Sequence, residues 1–115
     1  MKEIKAYIRT NKVEKTLAAL KKIGIQNMTV IDVMALGQGM LDRADYKYSM
    51  ALVERYSTIA KLEIIVPDNQ SERTVETIRS AAYTGESGDG LILVSSVEFA
   101  QKVRSGKQGE TIVQA

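Results

Sequence analysis

The sequence predicts an α+β domain in which one antiparallel sheet carries two helices on a single face. Three observations predict it. Short stretches alternate apolar and polar residues with the period of two that a half-buried strand requires. Two other stretches repeat apolar residues every three or four positions, as an amphipathic helix does. The order strand–helix–strand occurs twice, the two halves flanking a long irregular segment at 37–57.

The first strand spans residues 3–9, with Ile4, Ala6 and Ile8 on one face and Glu3, Lys5, Tyr7 and Arg9 on the other. Asn11 is placed to cap the next helix, and Glu14 lies in its first turn, where the helix dipole favours an acid. Val13, Leu17, Leu20 and Ile23 form the apolar stripe of that helix, and Gly24 supplies a left-handed stop. A second strand is expected from about Met28 to Leu36, rich in β-branched residues.

The regular pattern then breaks. From Gly37 to about Ser57 the segment has three tyrosines and no clean period, and residues 43–56 fit either a helix or the arms of a hairpin. Irregular segments of this length in a small domain are usually functional or disordered. Tyr46, Tyr48, Met50 and Leu52 make it adhesive, which suits a docking surface for a partner, or a cover over the domain's own sheet.

Alternation returns at Thr58–Val66, with Leu62, Ile64 and Val66 facing one way. Pro67 ends the strand, and Asp68, Asn69 or Ser71 can cap the second helix, whose stripe is Val75, Ile78 and Ala82. A turn at 84–90 follows, with Gly85, Gly88 and Gly90 alongside Thr84, Ser87 and Asp89. Leu91–Val94 reads as a short buried strand, and Val97, Phe99, Ala100 and Val103 suggest a closing helix or turn. A tail at 102–115 carries Lys102, Arg104 and Lys107.

Two β-α-β halves of this kind make the ferredoxin-like βαββαβ arrangement, with the 37–57 segment inserted between strands 2 and 3. The sheet's second face would carry Tyr7, Thr29, Ile31 and Ile65 among charges, too apolar to stay wet, so burial against further copies is expected.

Composition narrows the function. The 115 residues suffice for one domain. There is no cysteine and no histidine, which removes thiolate chemistry and the commonest general base and metal ligand. No stretch is long and apolar enough to span a membrane, and MKEIKAYIRT lacks the core of a signal peptide; a cytoplasmic protein is expected. A net charge of +2 with interspersed signs gives no footprint for nucleic acid.

The glycine turn is the strongest local signal. Glycine permits positive φ and close approach, so the N–H groups of Gly88, Asp89 and Gly90 can converge on an anion. The GxxGxG spacing matches neither the dinucleotide fingerprint nor the P-loop, and by itself suits an ordinary tight helix–strand connection better than an anion site. Asp89 is placed either to meet a ligand or to brace the turn.

Taken together, MKEIKAYIR at the start, GIQNMTVIDV at 24–33, LEIIVPD at 62–68, AAYTGESGDGLILVSSVE and the KVRSGKQGE tail resemble the PII signal-transduction proteins over essentially the whole chain. That resemblance implies a homotrimer binding adenine nucleotide, ADP or ATP with AMP a third candidate, in clefts between subunits. Thr84, Gly85, Gly88, Asp89 and Gly90 would wrap phosphate, Met28 and Thr29 would meet the base, and Glu63 and Ile65 would belong to the same nucleotide site. Lys102 and Arg104 would reach in from a neighbour, and Gly37 and Gln38 would form the base of the effector loop. The loop would dock into a membrane transporter or an enzyme, and the chain would regulate without being an enzyme.

The departures from the family pattern imply more. Leu91 stands where the family has a phosphate-gripping lysine, and Lys102 where it has arginine. Gly37-Gln38-Gly39 replaces a glycine followed by Arg-Gln, and Thr58 or Ile59 falls where a 2-oxoglutarate-binding lysine is expected. Weaker ATP and 2-oxoglutarate binding follow, with the role of Mg²⁺ left open, and Tyr46 and Tyr48 give no secure counterpart to the family's modified tyrosine. Two other classes stand beside this one. One is a small nucleotide-hydrolysing enzyme using Glu63 and Asp89; the other is a structural trimer whose site has decayed.

Overall fold

A computed structural model describes residues 1–33 and 59–114. Its strands are β1 (Lys2–Arg9), β2 (Thr29–Val33), β3 (Ile59–Val66) and β4 (Leu91–Ser96), and its helices α1 (Val13–Lys22) and α2 (Ser71–Ala82). The four strands form one antiparallel sheet in the order β2-β3-β1-β4. This is the ferredoxin-like arrangement: each half's two strands straddle a strand of the other half.

Period-two alternation builds the core from the middle of the sheet. Opposite one another stand Ile4 and Ile64, Ala6 and Leu62, and Ile8 and Ala60, all buried. Above them lie Leu20 of α1, Ile25, and Ile78, Ala81 and Ala82 of α2. Each fully buried Leu or Ile contributes roughly 1.5–3 kcal/mol relative to exposure.

The two halves repeat each other in detail. Each helix is entered through a short 3₁₀ turn, Thr10–Lys12 before α1 and Asp68–Gln70 before α2. In each, the fourth helical residue is a buried threonine whose hydroxyl donates to a carbonyl four residues back: Thr16 to Lys12 and Thr74 to Gln70, both at 2.7 Å. These turns replace the expected side-chain caps. Neither Asn11 nor Asp68, Asn69 or Ser71 caps a helix, because backbone carbonyls of the 3₁₀ turns take the N–H groups that a cap would satisfy. Asp68 instead pairs with the amino-terminal ammonium of Met1 at 2.8 Å. At the far end of α1, Gly24 has the expected positive φ, and the Ile25 N–H reaches back to the Leu20 carbonyl in a Schellman motif.

A further expectation is corrected. Residues Leu91–Val94 do form a strand, but not a buried one: within the chain Leu91 is 58% exposed, Leu93 45% and Val94 46%. β4 is an edge strand and the helices lie chiefly over the central strands, so only Ile92 packs on the core. Of the helix or turn expected after β4 the turn forms, a tight hairpin closed by Lys102 N–H to the Lys107 carbonyl (2.8 Å) and Gly109 N–H to the Ala100 carbonyl (3.1 Å). β2 begins at Thr29, one residue later than expected, because Met28 turns in to pack on the core. The uncovered sheet face carries Tyr7, Thr29, Ile31 and Ile65 as expected, with Leu91 and Leu93 added by the register.

Candidate functional site

The glycine turn is built around one carboxylate. Asp89 Oδ2 accepts the N–H groups of Thr84 (2.8 Å) and Gly85 (2.9 Å), while Oδ1 accepts the Thr84 hydroxyl and Arg9 Nε (3.2 Å). Arg9 Nη2 donates in addition to the Ser87 carbonyl at 2.8 Å. These bonds, led by those from the Thr84 hydroxyl and N–H, hold the Asp89 carboxyl well below the usual carboxylate range. Asp89 therefore braces the turn. Among the described residues none accepts the N–H of Gly88 or Asp89, so these two donors are open to an external acceptor.

Gly90 is where the turn meets the sheet. Its φ is +111°, and a Cβ there would lie 1.7 Å from the Tyr7 carbonyl oxygen. No side chain fits without moving β1. Gly88, at φ +98°, lies under the Arg9 guanidinium, and a Cβ would approach Nη2 to 3.2 Å. A hollow of about 390 Å³ opens between the turn and the end of α2, lined by Gly85, Asp89, Gly90, Leu91, Tyr83 and Arg79 among others.

A second and larger hollow, about 540 Å³, gathers Met28, Thr29, Glu63, Ile65 and Lys102 with Glu3, Asn27 and Gln114. Two ion pairs fix its charges. Lys61 Nζ lies 2.7 Å from Glu63 and Lys5 Nζ 3.3 Å from Glu3. The Lys61 hydrogen bond holds the Glu63 carboxyl below its ordinary range, and the same bond raises Lys61. Glu63 is thus an ionised, partnered wall of this hollow.

The residues expected at one site accordingly fall into two groups. The turn packs on Tyr7 and Arg9, whereas the larger hollow lies beside Glu3 and, through the β1–β3 register, Lys5 opposite Glu63. Two to six residues of extended β1 separate them, roughly 7–20 Å at about 3.3 Å per residue. Lys102 belongs to the hollow of its own chain's Met28 and Thr29; Arg104, also on the hairpin, is exposed and lines neither hollow. Gly37, Gln38, Tyr46, Tyr48, Met50 and Leu52 lie outside the described residues.

The family profile described as "Nitrogen regulatory protein P-II" matches residues 1–107. The chain belongs to the P-II family. It is 41% identical over 108 residues to the nitrogen regulatory protein P-II of Pyropia yezoensis, covering 91% of this chain and 93% of that protein. It is 39% identical over 113 residues to the nitrogen regulatory protein P-II 1 of Methanothermobacter thermautotrophicus (98% and 97% covered). The similarity to the Bradyrhizobium diazoefficiens protein of the same description is 35% over 109 residues, 95% and 96% covered. Among solved structures, Arabidopsis thaliana PII bound to citrate superposes with a TM-score of 0.76 at 32% identity, over 96% of this chain and 86% of that one. P-II membership makes this chain a member of a family of regulatory proteins, and the α+β fold above is that family's fold.

Two residues that build these regions of the P-II chain escaped the sequence reading. Arg9 reads from its alternation only as an outward-facing strand residue, yet it clamps the glycine turn about 80 residues away in the chain. Gln114 carries no motif at all, yet its side chain bonds to three residues at the wall of the larger hollow. The signal that could have found Arg9 is the acid within the glycine turn, which needs a cation once it is drawn into the turn.

Proposed function

We propose that this P-II chain is a non-enzymatic signalling regulator that binds adenine nucleotide between the subunits of a cytoplasmic homotrimer. The carrying observation is the separation of the two groups along β1. The glycine turn offers the open N–H donors of Gly88 and Asp89, while the larger hollow offers walls for a base and Lys102 for a phosphate. A cyclic assembly that sets the turn end of one sheet against the hollow end of the next joins them into one cleft. The exposed Leu91, Leu93 and Ile31 on the uncovered face supply apolar surface for that contact.

The charge available favours few phosphates. Arg9 is engaged by Asp89 and the Ser87 carbonyl, and the turn adds Glu86. Lys102, Arg104 and Lys107 of the hairpin are left to neutralise the ligand. ADP or AMP therefore fits better than ATP, whose outer phosphate would need a further cation or Mg²⁺. Binding of 2-oxoglutarate is weak on this reading, since Thr58 or Ile59 stands where the family places a lysine. Segment 37–57, through Tyr46, Tyr48, Met50 and Leu52, is the element that engages a partner, a membrane transporter in preference to an enzyme. Ligand controls it only as far as its affinity differs between two loop states.

Hydrolysis is the weaker reading. Glu63 and Asp89 are both held ionised by their partners and lie in different groups, so neither is poised to take a proton. Thermal melts with millimolar AMP, ADP and ATP test the proposal. A stabilisation greatest for ADP or AMP is expected, since a ligand at 100 times its Kd adds about 2.7 kcal/mol. No shift with any of them would leave a purely structural trimer.

A further inference from the structure

The β2–β3 ladder stops early. Its last pair is Thr29 opposite Glu63; the same register would set Asn27 opposite Ile65, but there the two backbones are bridged by a side chain from the tail. Gln114 Oε1 accepts the N–H groups of Gln26 (2.9 Å) and Asn27 (3.0 Å), and its Nε2 donates to the carbonyls of Asn27 and Ile65, both at 2.9 Å. All four bonding positions of the carboxamide are filled. It stands in for a missing rung of the sheet, at the wall of the larger hollow beside Met28, Thr29 and Glu63.

Gln114 also has a φ of +62°, the only positive φ of a non-glycine among the described residues. Such a backbone is disfavoured for a side chain of this size and persists where other contacts hold it. The tail is held upstream as well, where Glu110 accepts the Asp68 N–H at 3.3 Å, and the Gln114 side chain fixes its far end. A donor and an acceptor side by side are what a primary carboxamide presents, and also what an edge of adenine presents, which is why the two pair bidentately elsewhere.

We propose that the backbone of Gln26, Asn27 and Ile65 forms a subsite for a donor–acceptor edge, that Gln114 is its resident occupant, and that the adenine of a bound nucleotide displaces it. The tail is then an internal competitor, and nucleotide binding releases it. The competition rests on the nucleotide reading above; the subsite itself does not.

Three measurements test this. Calorimetry of ADP binding compares the wild-type protein with Gln114→Ala, and several-fold tighter binding by the variant is expected. Equal or weaker binding would overturn the competition and make Gln114 a support for the hollow. In the wild-type protein, the ¹⁵N side-chain amide of Gln114 is protected from exchange with water, and saturation with ADP abolishes that protection; protection retained at saturation overturns the proposal. Acetamide as a free carboxamide raises the melting temperature of Gln114→Ala but not of the wild type, and an equal response in both overturns the subsite. If neither protein binds any adenine nucleotide, the nucleotide reading fails and the competition with it, while the acetamide comparison still decides the subsite.

Discussion

Gly90 lies so close to Tyr7 that its absent Cβ would fall 1.7 Å from the Tyr7 carbonyl oxygen. The glycine turn is thus seated on the backbone of β1, and Arg9, two residues further on, ties it down from the side through Asp89 and Ser87. Turn and strand behave as one unit.

Gly90→Ala is expected to destabilise the protein by about 2–4 kcal/mol, adding backbone strain to overpacking. Gly109→Ala serves as the control. Its φ is similarly positive at +93°, but nothing lies within 4 Å of a Cβ there, so only the strain remains, about 1 kcal/mol. Urea unfolding of the two variants measures the difference; equal losses would mean that the contact with Tyr7 carries no weight.

Asp89→Asn tests the brace through pH. The folded carboxyl titrates below its unfolded value of about 3.9, so its contribution is complete above that value and is lost as pH falls through the folded one. The stability gap between wild type and variant is therefore constant from pH 5 to 8 and closes only in acid. Denaturation midpoints measured across pH 2–8 check this; a gap that closes near neutrality would contradict the bonding described for the turn.

Much of the fold was legible because single residues carried it. Ile4, Ala6 and Ile8, then Leu62, Ile64 and Val66, alternate without interruption, and both are central strands whose one face is wholly covered. Leu91–Val94 misled for the converse reason: an apolar run marks burial somewhere, and within one chain an edge strand has nothing to be buried by. The helix starts misled as well, since Asn11 and Asp68 are good capping residues and nothing local announces a 3₁₀ turn that satisfies the same N–H groups.

The site was legible where chemistry is local and not where it is assembled. The glycines and Asp89 announce a turn by themselves. That Arg9 clamps it, that Tyr7 seats it, and that Gln114 fills a gap beside Ile65 depend on contacts across much of the chain, which strand periodicity does not encode.

Leu93→Glu tests the assembly. Leu93 stands opposite Lys5 on the uncovered face and is already half exposed, so the chain's own fold should change by no more than about 0.5 kcal/mol. A charge buried between copies is far more costly. Light scattering is expected to show smaller species with an unchanged circular dichroism spectrum; an unchanged mass would place the contact elsewhere.

The central claim, a cleft completed by two subunits, is tested most directly by mixing two defective proteins. Asp89→Ala removes the brace of the turn, and Thr29→Trp fills the larger hollow, so each variant alone should bind no ADP by calorimetry. After the two are unfolded and refolded together in equal amounts, about one site in four pairs an intact turn with a neighbour's intact hollow, and that fraction of binding should return. No recovery from the mixed assemblies would contradict the account and put the whole site within one chain.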